Sequence, residues 1–258
     1  MTNPLRPELE GPFANYSSVV CRLLNEISWE GNTTKYHQGG RGFENVLSAE
    51  VFQALDFLPR AAFLGTIIRS ASGHRPTLNT VADNVEQLQF RFLPGDYHLG
   101  FGGTPERKPM WVQPDGVLTS ERIFCLVEAK RIRKSSFQRE QLAREYVTTI
   151  REAAGKTPLM LLVLSEAPPV SVARHGRIQI ADAIHRFLPS VLPRVDCELP
   201  TLEQLIARID SVVAYVTWGQ IAAILKEQRT AFAERDPSVA NSVERLTAAA
   251  LNAIDGHA

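Results

Sequence analysis

Phe43, Leu47, Val51, Leu55 and Leu58 fall three or four positions apart, the spacing that lays an apolar stripe along one side of a helix. Pro59 closes or kinks that helix, because a proline inside it would lose a main-chain bond and clash with the preceding turn. Another helix is predicted before it, over residues 13–29, with the Gly- and Thr-rich stretch 31–42 as the connecting loop. After it come a helix over 61–70, a loop over 70–76, a helical stretch over 80–88 and an extended piece over 89–93. In the middle of the chain the helical period gives way to strand-like runs. Residues 110–118 and 123–132 read as two strands joined by the short turn Thr119-Ser120-Glu121-Arg122. Residues 136–154 read as an amphipathic helix stopped by Gly155. Residues 159–164, Leu-Met-Leu-Leu-Val-Leu, are apolar without a break, as in a strand buried on both faces. Beyond Pro168-Pro169 the chain turns mainly helical, with helices over 201–232 and 238–254.

That order predicts a mixed α/β fold with one central sheet flanked by helices. Residues 1–198 would form the α/β core with its N-terminal helices, and 199–258 a helical C-terminal layer that can pack on the same core. A length of 258 residues suits one large domain or a core with an appendage. The longest apolar stretch, 211–225, is about 15 residues, short of the roughly 20 that cross a bilayer, and reads as a buried helix. With Leu205, Ile209, Val212, Val213, Val216, Ile221, Ile224 and Leu225 it offers a broad apolar surface. The core, a second copy of the chain or another protein would have to cover it. No membrane partner is expected.

Charge narrows the function classes. Lys plus Arg and Asp plus Glu both number 28, so the net charge is zero. That argues against a protein that coats nucleic acid or anionic lipid by bulk charge, and any phosphate-binding surface must be a local patch. Cys21, Cys125 and Cys197 are far apart and form no Cys-x-x-Cys, which argues against a disulfide framework and a thiolate zinc site. With no apolar core near the N-terminus to mark a signal peptide, a cytoplasmic location is expected. The six histidines show no paired ligand spacing, leaving His37 in the Gly-rich loop as a mild candidate. Gly39-Gly40-Arg41-Gly42 lacks the Gly-Lys-Ser/Thr of a phosphate-binding loop.

The candidate chemistry lies in Ile-Phe-Cys-Leu-Val-Glu-Ala-Lys-Arg-Ile, residues 123–132. Strand side chains alternate, so Phe124, Leu126, Glu128 and Lys130 share one face and Cys125 points to the other. The preceding strand carries Pro114-Asp115-Gly116, and the short turn makes the pair antiparallel. If Asp115 sits opposite Leu126 or Glu128, it joins Glu128 and Lys130 on their face; a one-residue slip puts it on the other. On one face, two carboxylates can bind Mg²⁺ through hard oxygens, and a lysine beside them can position a water for phosphodiester hydrolysis. Chance supplies about one acid-x-Lys triplet in a chain of this composition, and Glu106-Arg107-Lys108, in a polar Gly/Pro stretch, reads as that decoy.

Pro114-Asp115 and Glu128-Ala129-Lys130, with 12 residues between Asp115 and Glu128, resemble the motif of the restriction-endonuclease-like, PD-(D/E)xK nuclease superfamily. The resemblance covers residues 43–164, about half the chain. It implies a restriction-endonuclease-like core, here with N- and C-terminal helical additions, and metal-dependent hydrolysis of nucleic acid, DNA ahead of RNA, with Mg²⁺ or Mn²⁺. It also implies that Asp115 and Glu128 bind the metal, with the Ala129 carbonyl a further ligand, and that Lys130 positions the attacking water. Glu44 looks like the acid that the family's first helix supplies, with Glu50 its rival, and Gln141 resembles the glutamine of the helix after the lysine strand. Gln141 to Tyr146 is five residues where the family's spacing is four, so Tyr146 receives no role. Residues 131–156 hold Arg131, Arg133, Lys134, Arg139, Arg144, Arg151 and Lys156 against three glutamates. They form a local basic patch where a phosphate backbone would lie, which Arg41 and Arg60 could join. A nuclease of restriction, mobile-element or repair type is the expected role. The alternative is a non-catalytic nucleic-acid-binding or assembly module on the same fold.

Overall fold

The computed structural model describes residues 41–100, 109–132, 136–235 and 238–257. The helix predicted over 13–29, most of the Gly-rich loop with His37, Cys21, the decoy triplet at 106–108, and Arg133 and Lys134 lie outside the described residues.

Helix α1 (Arg41–Phe57) begins at Arg41, so Arg41 and Gly42 open the helix rather than end the loop. Its stripe is buried at Leu47, Val51 and Leu55, and Leu58 just past its end is buried with them. After Pro59, whose carbonyl accepts the N–H groups of Ala62 and Phe63, comes the short α2 (Leu64–Ser70). The helix expected over 80–88 lies earlier, as α3 (Arg75–Asp83). Pro76 sits in its first turn, where the missing N–H has no intrahelical partner to lose, and a single 3-10 turn, Val85–Gln87, follows.

The strands are β1 (Gln89–Phe92), β2 (Tyr97–Gly100), β3 (Met110–Val112), β4 (Gly116–Thr119), β5 (Ile123–Ala129), β6 (Thr157–Leu164), β7 (Val170–Val172), β8 (Gly176–Ile178) and β9 (Val213–Thr217). The central sheet is mixed and five-stranded, in the order β1-β4-β5-β6-β9. β1 and β4, and β4 and β5, pair antiparallel, and β5, β6 and β9 run parallel. Between β5 and β6 runs α4 (Gln141–Ala153), ended by Ala154 and Gly155, both with positive φ. α4 starts at Gln141 rather than at 136, because the main chain of Phe137 is bonded to Ser171 and Ala173 around β7. Helices α5 (Ile180–Val191), α6 (Leu202–Val212), α7 (Trp218–Arg235) and α8 (Ala240–His257) complete the chain.

One strand expectation and one helix expectation are corrected. Residues 110–118 are not one strand: β3 pairs with β2 in a separate ribbon, and β4 joins the central sheet. Pro114 lies at the break and has no N–H to continue a ladder. Residues 211–225 are not one helix, because Val213-Ala-Tyr-Val-Thr217, rich in β-branched side chains, forms β9 between α6 and α7. The outer edge of β9 is covered by Ser72, whose N–H and C=O bond Tyr215. At Gly73 a Cβ would stand 2.7 Å from that of Ala214, so only glycine lets the loop come so near.

The sheet has a core on each face. One joins Cys125, Val127, Leu161 and Val163 to α1, α2, α3, α7 and α8. The other joins Phe124, Leu126, Met160 and Leu162 to α4, α5 and α6. The apolar residues of the C-terminal segment divide between them: Leu205, Ile209 and Val212 enter the second, and Val216, Ile221, Ile224 and Leu225 the first. The chain therefore covers its own apolar surface, and that surface no longer calls for a second copy or a partner protein. Residues from 199 onward add a strand to the same sheet as well as helices. No helix among the described residues is long and apolar enough to cross a membrane.

Candidate active site

β4 pairs with β5 in the register Gly116↔Val127 and Val117↔Leu126. Carried one residue further, it sets Asp115 opposite Glu128, on the face toward α4. Asp115 sits just before β4, where its carbonyl accepts the Leu93 N–H (2.9 Å) and its Oδ2 accepts the Ala129 N–H (2.7 Å). The carboxylate thus stands in for a ladder carbonyl at the point where Pro114 ends the pairing.

β5 is buried along its whole length. Its seven side chains are apolar except Glu128, and Lys130 follows one residue past its end. Lys130 Nζ donates to Glu128 Oε1 at 2.7 Å and lies 4.9 Å from the centre of the Phe137 ring. The lysine main chain is held from both sides, its N–H bonding Val163 O (2.8 Å) and its carbonyl accepting Trp218 Nε1–H (2.7 Å). From α4, Gln141 Nε2 donates to Glu128 Oε1 at 2.7 Å. The same nitrogen donates to Glu145 Oε1, also at 2.7 Å.

Asp115, Glu128, Lys130 and Glu145 are only 8, 5, 9 and 2% exposed. Three buried carboxyls and one buried ammonium thus lie at the end of β5, with Glu128 paired directly to Lys130. Charges taken out of water are costly unless they are paired and hydrogen-bonded. Burial first, and then the neighbouring Glu128 charge, hold the Glu145 carboxyl well above the ordinary glutamate range. Its Oε2 is buried without a partner.

Sequence reasoning passed over Glu145. The signal was present, since it lies one turn after Gln141 on the buried stripe that also carries Leu142 and Tyr146, where an acid is out of place. Tyr146 itself donates to Leu205 O at 2.6 Å, and burial pushes its hydroxyl up to about 12. Cys125 faces the opposite core, where burial pushes its thiol far up. Glu44 lies in the first turn of α1, and its side chain is outside the described residues. Glu50 is exposed and lines a groove between α1 and α8 with Phe57 and His257, so it is not part of this cluster.

Several members of the basic patch have internal work. Arg144 donates to Trp111 O (3.5 Å) and Gln138 Oε1 (3.1 Å), and Lys156 to Ser120 O (2.8 Å). Arg151 bonds Glu152 and the His98 carbonyl. Arg60 ties Asp56 to the carbonyls of Val85 and Leu88. Arg139 is exposed, 5.6 Å from the Phe187 ring, and Arg131 is half-buried beside the site. The backbone of Arg41 opens α1.

Among the described residues no three His, Cys, Asp or Glu side chains form a ready-made metal cage. The donor chemistry fits a hard divalent cation in one respect: the Asp115 and Glu128 carboxylates outnumber the one buried ammonium beside them. Asp115 and Glu128, with the main chain at Ala129, are the residues that could hold it.

The chain matches no protein-family model, no curated protein and no solved structure. What fold and site define is a class: a mixed α/β chain with a buried acid–lysine–glutamine cluster at the C-terminal end of its central strand, where open α/β sheets place their ligands.

Proposed function

We propose that this chain is a metal-dependent phosphodiesterase acting on nucleic acid, DNA ahead of RNA, built on a restriction-endonuclease-like core. One observation carries the reading: a buried Glu128–Lys130 pair at the end of β5, faced by Asp115 and tied through Gln141 to Glu145. An ion pair as buried as this adds little stability compared with apolar packing, so a purely structural role explains it poorly. Asp115 and Glu128 would hold Mg²⁺ or Mn²⁺, which supplies a more acidic water and neutralises charge building on the phosphate. Gln141 fixes the Glu128 carboxylate. Lys130, in reach of Glu128, would orient the water whose oxygen forms the new P–O bond as the bond to the leaving sugar oxygen breaks. The half-buried Arg131 and exposed Arg139 would contact the phosphate backbone.

The second reading is a nucleic-acid-binding or assembly module on the same fold without catalysis. It rests on Asp115 Oδ2 and Glu128 Oε1 already satisfying groups of the protein. Incubation with single- and double-stranded DNA and with RNA, with Mg²⁺, Mn²⁺ or EDTA, separates the two. Cleavage that needs metal and disappears in Lys130→Ala is the expected result. Substrates left intact under every condition, with binding retained, would establish the module instead.

A further inference from the structure

Gln141 is held in one orientation by three bonds. Its Oε1 accepts the Gln138 N–H (3.1 Å), and its Nε2 donates one hydrogen to Glu128 and one to Glu145. An amide nitrogen carries two hydrogens and no more. Turning the amide over would set its oxygen against two carboxylates, so the network fixes which end faces them. Glu145 is one of the two acceptors that lock it. Its cost is visible in the same place, since Oε2 is buried with no partner, and an apolar residue on this stripe of α4 would remove that penalty.

We infer that Glu145 is a positioning residue of the site: it holds the Gln141 amide so that the second N–H fixes the Glu128 carboxylate for a divalent cation. This rests on the metal-dependent reading above, and it assigns Glu145 no contact with metal or substrate. A residue acting through a ligand in this way typically changes metal affinity by about 10–100-fold when removed.

The test uses the full chain with Glu145→Leu, Glu145→Gln, Gln141→Leu and the double variant Gln141→Leu/Glu145→Leu. Half-saturation by Mg²⁺ is measured without substrate by isothermal titration calorimetry, alongside the Mg²⁺ dependence of cleavage, and the metal-free Tm is taken in EDTA. Glu145→Leu should raise the half-saturating Mg²⁺ about tenfold or more, with a metal-free Tm at or above that of the wild type. Glu145→Gln, whose carbonyl oxygen accepts the same bond, should recover most of the lost affinity. The double variant should be no worse than Gln141→Leu alone, because both changes break one clamp. A Glu145→Leu protein with wild-type Mg²⁺ dependence, a Glu145→Gln protein as impaired as Glu145→Leu, or additive losses in the double variant would each overturn the inference while leaving a metal-dependent wild type standing. A wild type that neither takes up metal nor cleaves would remove the nuclease reading itself, and this inference with it.

Discussion

The two faces of β5 are equally buried and differ in what they bury. Toward α1, α7 and α8 the strand shows Ile123, Cys125, Val127 and Ala129, apolar to its last residue. Toward α4 it shows Phe124 and Leu126, and then Glu128, with Lys130 next on the same side. The neighbouring β6 stays apolar on both faces through Leu164. Burial alone therefore does not separate a core from a site. The separating feature is ionic chemistry kept in a place where apolar packing would be at least as stable. Functional sites are where such costs are tolerated.

The sharpest way to break that contrast is to alter one residue on each face. Asp115→Asn keeps an oxygen for the Ala129 N–H but removes the charge, and cleavage should fall on the order of a thousandfold, the scale of several kcal/mol of transition-state charge stabilisation. Lys130→Ala should lose as much activity. It also leaves Glu128 buried without its cation, at a stability loss of about 3–5 kcal/mol, so its rate is read at a temperature where circular dichroism shows the protein folded. Leu161→Ala on the other face should lose about 2–5 kcal/mol in a urea titration, with the folded fraction cleaving at the wild-type rate. On the metal-dependent reading proposed above, if folded Leu161→Ala loses cleavage, or Asp115→Asn keeps it in full, the two faces do not divide stability from chemistry as stated.

Most of the site strand was legible because its information is local. Parity alone places Glu128 with Lys130 and turns Cys125 away, and a four-residue turn implies an antiparallel partner, but only the register of β4 on β5 decides that Asp115 comes alongside. What escaped the sequence depends on distant choices. Residues 211–225 are apolar on all sides, so no period marks Val213–Thr217 as the strand that pairs with β6. Residues 110–118 look continuous, yet Met110–Val112 finds its partner in Tyr97–Gly100. The basic patch was a count of charges, and a count cannot show that Arg60, Arg144, Arg151 and Lys156 reach back to carbonyls of their own chain. Glu145 was legible and overlooked, an acid inside an apolar stripe.

A hydrogen bond from the first core reaches the site. Trp218, at the start of α7, is packed in the first core, stacked near Phe52 with ring centres 6.3 Å apart, and its Nε1–H reaches the Lys130 carbonyl. Trp218→Phe keeps an aromatic ring but a smaller one, removing the donor to the Lys130 carbonyl and leaving space in the first core. A loss of about 1–3 kcal/mol is expected, measured by urea unfolding. The half-saturating Mg²⁺ concentration should stay near the wild-type value, because the Glu128–Gln141–Glu145 clamp lies on the other face. A large change there would mean that the first core sets the geometry of the site directly.

The smallest expected effect is a slope in pH. Burial raises the Glu145 carboxyl above its ordinary value of 4.5. The folded protein therefore holds this proton more tightly than the unfolded chain does. A group of this kind stabilises the fold fully below the unfolded value, and its contribution is lost as pH rises toward the folded value. Between the two, stability should fall by up to about 1.4 kcal/mol per pH unit from this group alone, and above the folded value the slope ends. Glu145→Gln is nearly isosteric and carries no titrating proton. The Tm of wild type minus that of Glu145→Gln, in EDTA from mild acid to neutral pH, should therefore start near zero and become negative as pH rises. A flat difference, or one that grows in favour of the wild type, would mean that Glu145 is better compensated in its charged form than its unpartnered Oε2 implies. It would also remove the stability penalty that sets this face of β5 apart from the other.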